Sequence, residues 1–227
     1  MTPLLLLHGA LGSAGQFEAL VPLLPAGRPV YALNFPGHGG VPTDEPFSME
    51  YFSSAILRFL DETGHPQADI FGYSMGGYVA LYTAWKHPGR VGRIMTLGTK
   101  MDWSPDIAAG MNRMFDPEKI KAKVPHFAGL LAKTHAPLDW ESVCRNTAGF
   151  LHDLGEGKGL PAGAFARIGC PVTVGWGELD NVVLLEESRA AAEALPEGRL
   201  EIFSGFKHPI EQVDFVLLAE RLREFFR

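Results

Sequence analysis

The stretch DIFGYSMGGYVAL, residues 69–81, decides how this chain is read. An apolar run enters it, Ser74 stands between Gly72 and Gly76, Gly77 follows, and a helix-like pattern leaves it. Gly72-Tyr73-Ser74-Met75-Gly76 has the form G-x-S-x-G, a pattern that is informative where a strand ends and a helix begins. A serine at the apex of such a sharp turn takes a strained backbone conformation, and small residues are needed wherever neighbouring backbone comes close. The outcome is a hydroxyl projecting from the carboxyl edge of a sheet, with the start of a helix beneath it. A glycine-rich turn that merely contains a serine looks the same over five residues, so the weight falls on the rest of the chain.

Outward from this point, apolar runs alternate with helix-length amphipathic segments. Strands are predicted at 3–8, 29–35, 69–73, 91–98, 171–176 and 199–203, and helices at 15–24, 48–63, 75–87, 184–195 and 209–226. Strands and helices taking turns imply a parallel sheet covered on both faces, and several of the strands are continuously apolar, as burial on both sides requires. Ser48 is a plausible N-cap for the second helix, which Gly64 and Pro66 stop. In the last helix Ile210, Val213, Leu217, Leu218, Leu222 and Phe225 recur at helical spacing and should dock on the sheet.

Between residues 100 and 165 the alternation stops. Only short helix-like pieces are visible there, at 117–134 and 138–154. So long a segment without structure of its own is unusual in a compact domain. It reads as a helical lid inserted into a single domain, over the carboxyl edge of a core made of residues 1–99 and 166–227.

A chain of 227 residues with net charge -6 and no basic stripe does not suit nucleic acid, whose binders gather Lys and Arg to displace counterions. The two cysteines, Cys144 and Cys170, are far apart and lack neighbours at ligand spacing, which suggests reduced thiols and neither a disulfide framework nor a metal site. The opening MTPLLLLHGALG lacks the positive segment and long apolar core of a secretion signal, and no stretch approaches a membrane span. A cytoplasmic location, no membrane partner and no cofactor are the expectations; oligomeric state leaves no trace in the sequence.

A serine hydroxyl is a poor nucleophile near neutral pH and needs a general base, with an acid behind the base to fix its tautomer. In a parallel sheet both come from loops that open on the same edge. CPVTVGW is followed by GELDNVV, which puts Asp180 in such a loop; RLEIF is followed by SGFKHP, which puts His208 in the next. With these residues the chain resembles the α/β-hydrolase superfamily, in the order Ser, Asp, His. The likeness runs over essentially the whole length and is carried by LLLHGALGS, NFPGHG, GYSMGG, GWGELD and GFKHP together.

The resemblance implies a six-stranded, mostly parallel sheet with helices on both faces, without the two leading strands of fuller relatives. It implies Ser74 as nucleophile, His208 as base and Asp180 as acid, in preference to Glu178 two residues earlier. His8 and His38 fall in turn motifs and are expected to hold loops; His135 falls in the lid. Acyl transfer creates an oxyanion that needs preorganised donors. These are expected to be the N–H of Met75, just behind the nucleophile, and, by resemblance, that of Ala10. Asn34 stands where many relatives carry Asp, a structural turn position.

The lid is rich in large apolar residues. Trp103, Met111 and Phe127, with Leu11 from the first loop, are the candidate substrate contacts, although most apolar lid residues should simply pack. Lys100 and Arg113 are open between carboxylate recognition and solvation. The leading expectation is a cofactor-independent serine hydrolase cleaving a small carboxylic ester or thioester through an acyl-enzyme on Ser74. GYSMGG also looks like the elbow of the menaquinone-pathway lyase and of carbon–carbon bond hydrolases; Tyr78 stands where that lyase commonly has Arg. A hydrolase-fold ligand receptor with vestigial turnover is the third reading.

Overall fold

The computed structural model describes all residues, 1–227. Strands β1 (Leu4–Leu7), β2 (Val30–Leu33), β3 (Ala68–Tyr73), β4 (Val91–Leu97), β5 (Val172–Gly177) and β6 (Gly198–Phe203) form one sheet in the order β2-β1-β3-β4-β5-β6. All six expected strands are present, and every neighbouring pair is parallel, so the sheet is parallel throughout and not only mostly.

The order has one consequence for function. The chain leaves β1 toward β2 on one side and returns to build β3 on the other, so the loops after β1 and β3 diverge and open a crevice at the carboxyl edge. Ala10 follows the first of these strands and Ser74 the second.

Strand β1 reads LLLL because both sides of the sheet are covered: Leu5 and Leu7 join one buried cluster, Leu4 and Leu6 the other. Helices α1 (Met49–Glu62), α2 (Met75–Lys86) and α7 (Leu185–Ala194) bury side chains in the first cluster. Helix α8 (Phe215–Phe225) and two 3-10 turns near the N-terminus cover the other face. Ser48 caps α1, its side chain accepting from the Tyr51 N–H.

Several predicted helices are shorter or broken. Residues 15–24 form two 3-10 turns, Ala14–Phe17 and Val21–Leu23, the second with Pro22 inside its first turn. Residues 209–226 divide into a 3-10 turn, Ile210–Gln212, and α8, which restarts where Asp214 accepts from the N–H groups of Val216 and Leu217. Ile210, Val213, Leu218 and Leu222 are buried against the sheet, and Leu217 and Phe225 pack partly buried beside them.

Between β4 and β5 lie four helices and no strand: α3 (Pro105–Asn112), α4 (Pro117–Lys123), α5 (Pro125–His135) and α6 (Trp140–Gly155). The single helix expected over 117–134 is split because Pro125 has no N–H with which to continue α4. The unexpected α3 is capped by Ser104, which accepts from the Ile107 N–H, with Pro105 at the first helical position. This segment shares the main core: Ile120, Leu131, Val143 and Phe150 belong to the cluster that holds Leu5, Leu7 and Ile70. No helix is long and apolar enough to cross a membrane.

Candidate active site

Ser74 caps α2 with φ 51°, the left-handed region that a serine rarely occupies. The glycines around it make room for that turn. A Cβ on Gly76 would lie 2.2 Å from the Leu7 carbonyl oxygen, and one on Gly72 would lie 2.5 Å from the Gly77 Cα. Both contacts are with backbone that cannot step aside, so the strand, the turn and α2 pack only with glycine at these positions.

The Ser74 Oγ lies 3.4 Å from His208 Nε2, and His208 Nδ1 lies 2.8 Å from Asp180 Oδ2. A carboxylate only accepts, so Nδ1 carries the proton and the Nε2 lone pair faces the serine. Asp180 is held from behind: its Oδ1 accepts from the N–H groups of Val182 (2.8 Å) and Val183 (2.9 Å). Its burial would raise the carboxyl pKa, but the hydrogen bond and charge of His208, with the two backbone donors, outweigh burial and leave it below the usual carboxylate range. The Tyr73 hydroxyl donates to the His208 carbonyl (2.9 Å) and fixes the histidine loop to the end of β3. Glu178 does not reach the histidine; it accepts from the Ser204 hydroxyl and the Gly205 N–H and so ties the loops after β5 and β6 together.

Two backbone donors flank the serine. Met75 opens α2, where the first N–H groups have no intrahelical acceptor. The Ala10 N–H bonds no protein acceptor, and the next residue, Leu11, also has positive φ, 56°. Ser13 caps the following turn through the Gly15 N–H and does not enter the site.

A cavity of about 250 Å³ opens above Ser74 and His208. Leu11, Trp103, Met111 and Phe127 all line it, joined by residues the sequence did not single out for it, among them Tyr73, Tyr78 and Val182. Its one charged wall residue, Lys100, is neutralised: the ammonium lies 2.9 Å from Glu187, whose oxygens also accept from the N–H groups of Met101, Asp102 and Leu184. This buried pair braces the strand-to-helix loops. Arg113 is not among the lining residues.

A larger cavity, about 840 Å³, lies at the opposite, amino edge of the sheet. It contains no nucleophile with a base beside it. The Arg28 guanidinium there is engaged by Asp69 and by the carbonyls of Thr2, Pro3 and Phe226, and that of Arg93 by chain carbonyls near the C-terminus. The described side chains offer no group of three or more His, Cys, Asp or Glu placed to hold a metal ion.

Three of the remaining histidines, His8, His38 and His135, are fully buried in a row, with ring centroids 5.0 and 5.8 Å apart. His8 and His38 hold turns, as expected: His8 Nε2 accepts from the Phe35 N–H, and its Nδ1 meets the Gly9 carbonyl at 2.8 Å. His38 Nδ1 meets the Pro36 carbonyl. Burial holds His8 down at about 4 and His38 well below its ordinary value, and lowers His135.

These shifts give a signed prediction. Above pH ~6.5 the rings are neutral both folded and unfolded, and below it the unfolded chain takes up protons that the folded chain refuses. Stability is therefore lost as pH falls from about 6.5 toward about 4. His8 alone accounts for roughly 3 kcal/mol across that window. Urea midpoints measured near pH 7 and near pH 5 should show a clear fall; equal midpoints would contradict three buried neutral imidazoles.

Comparison with known proteins agrees with this architecture. Residues 2–147 match the family model described as alpha/beta hydrolase fold. Among curated proteins, the chain is 43% identical over 86 residues to a pimeloyl-[acyl-carrier protein] methyl ester esterase of Neisseria meningitidis, a match covering 38% of this chain and 32% of the relative. It is 29% identical over 153 residues to the sn-1-specific diacylglycerol lipase ABHD11 of Xenopus laevis, covering 66% of this chain and 44% of that one. The chain thus matches less than half the length of either. Among solved structures, 2-hydroxy-6-oxo-6-phenylhexa-2,4-dienoate hydrolase from Rhodococcus sp. strain RHA1 superimposes with a TM-score of 0.80 at 20% identity, over 100% of this chain and 91% of that one, a likeness of fold.

Proposed function

The chain belongs to the α/β hydrolase fold family, and from that membership we propose that it is a cofactor-independent serine hydrolase that cleaves a small carboxylic ester or thioester. The observation that carries the reading is the unbroken relay from Ser74 through His208 to Asp180, at 3.4 and 2.8 Å. His208 Nε2 takes the hydroxyl proton as Oγ attacks the carbonyl carbon. The oxygen that becomes negative accepts from the N–H groups of Ala10 and Met75. Collapse expels the alcohol or thiol, which leaves with the proton held by His208. Water, deprotonated by the same imidazole, then releases the acid from Ser74.

The apolar lining of the cavity supports an uncharged acyl or alkyl group, and its volume, about 250 Å³, favours a small one. The helices between β4 and β5 would act as its lid, residues 100–165 of the single domain. A substrate bearing a carboxylate, as the lyase reading demands, finds little support, because Lys100, the one cationic wall residue, is already paired with Glu187. Both cysteines are free, and burial pushes Cys144 up to about 12 and Cys170 to about 11, which keeps the thiols protonated near neutral pH and poor nucleophiles.

Incubation with a fluorophosphonate should add one label, at Ser74, and a panel of nitrophenyl esters should show turnover that falls as the acyl chain outgrows the cavity. A folded protein that takes no label and cleaves none of the esters would overturn the reading.

A further inference from the structure

We propose that His135, the last residue of α5, is a positioning residue for the oxyanion site: it holds the loop that carries the Ala10 N–H in its working shape. His135 is fully buried. Its Nδ1 accepts from the Gly39 N–H at 3.1 Å, and a nitrogen that accepts carries no proton. The proton is therefore on Nε2, which lies 3.1 Å from the Leu11 carbonyl oxygen and donates to it. One imidazole thus joins three separate segments: the loop after β1, the loop after β2 and the segment between β4 and β5.

The carbonyls on either side of Ala10 are each held by a buried histidine. His8 Nδ1 donates to the Gly9 carbonyl at 2.8 Å, and the Gly9–Ala10 peptide is trans. In a trans peptide the C=O and N–H point in opposite directions, so fixing the Gly9 oxygen aims the Ala10 N–H the other way. On the far side Leu11 sits at φ 56°, a conformation that a non-glycine residue adopts at a cost and that persists only where surroundings enforce it. The hydrogen bond from His135 to its carbonyl is one such constraint, and the seat of the Leu11 side chain in the cavity wall is another. Without His135, Leu11 is free to relax toward negative φ. That rotation displaces the Ala10–Leu11 peptide, and the strain passes through the Ala10 dihedrals to the Gly9–Ala10 peptide that carries the N–H.

The approach of α5 is also built into the loop after β2. Gly40 has φ +83°, and a Cβ there would lie 2.7 Å from the Ala136 carbonyl, immediately after His135. Gly39, whose N–H the imidazole receives, has its carbonyl held by Asn34 Nδ2. The segment between β4 and β5 is therefore tied by one neutral imidazole to the loops after β1 and β2, beside the close packing of Gly40 on Ala136.

The inference rests on the proposed hydrolase reading, and the experiment separates the two. Wild type, Ser74→Ala, His135→Leu and His135→Gln are compared on 4-nitrophenyl butyrate, with kcat and KM measured apart and melting temperature recorded. We expect His135→Leu to lower kcat by about 10- to 100-fold with KM nearly unchanged, since a displaced oxyanion donor acts on the transition state and not on ground-state binding. Glutamine carries one acceptor and one donor at its tip and should restore most of kcat. A His135→Leu enzyme that is folded and keeps wild-type kcat overturns the inference alone, as does a glutamine variant no better than the leucine one. A wild-type protein that cleaves no ester, or a fully active Ser74→Ala variant, overturns the hydrolase reading and this inference with it. If leucine prevents folding, nitrogen-15 shifts of the wild-type imidazole decide: a neutral ring protonated on Nε2 is required, and protonation on Nδ1 overturns the proposal.

Discussion

Ser74→Ala is expected to lower kcat for ester hydrolysis by roughly 10⁴- to 10⁶-fold while leaving KM and the melting temperature close to wild type. The loss is large because no other nucleophile lies beside the His208 Nε2 lone pair, and it is specific because alanine inherits the same backbone position at φ 51° and the same glycine neighbours. The residues of the relay act as one unit, so a Ser74→Ala/His208→Ala double variant should be little worse than either single one. What rate survives, roughly a thousandfold over water, would come from binding and from the N–H groups of Ala10 and Met75. A variant with appreciable kcat, confirmed by active-site titration to be free of contaminating esterase, would remove Ser74 from the chemistry.

Asp180→Asn should cost about 10⁴-fold in kcat for a different reason. The amide keeps an oxygen that accepts from Val182 and Val183, so the loop after β5 keeps its shape. Toward His208, however, it presents N–H where a carboxylate oxygen stood. The imidazole must then accept at Nδ1 and carry its proton on Nε2, which leaves no lone pair for the serine. Wild-type turnover with an unchanged melting temperature would exclude Asp180 from the relay. A variant that loses both rate and fold would show that it braces the loop more than it serves catalysis.

The sequence made the sheet legible because burial on both faces writes itself as uninterrupted apolar runs, such as LLLL in β1. That Ser74, Asp180 and His208 would come together was legible because a parallel sheet sends its carboxyl-edge loops to one side, and the resemblance to α/β hydrolases chose Asp180 over Glu178. Helix boundaries were read less well wherever proline or a capping aspartate divided an amphipathic run, as at Pro125 and Asp214. The short α3 was missed because eight residues offer too little periodicity; Ser104-Pro105 was the available signal. His135 was invisible as more than a lid histidine, since its significance comes from the carbonyl and N–H groups of loops more than ninety residues away. Pairing has the same character: Lys100 looked free because Glu187, which neutralises it, lies in another helix.

The position of the four helices between β4 and β5 bears on how the chain is made. Strand β4 ends at Leu97, and the neighbour that completes its second edge begins at Val172, about 75 residues later. At a synthesis rate of roughly 5–20 residues per second, that edge stands unmatched for about 4–15 s while the ribosome works through α3–α6. Those helices form from contacts near in sequence, α3 against α6 and α4 against α5, and can collapse early, whereas the strand waits with a row of open amide groups. Over that interval the edge of β4 is open to pairing with another chain.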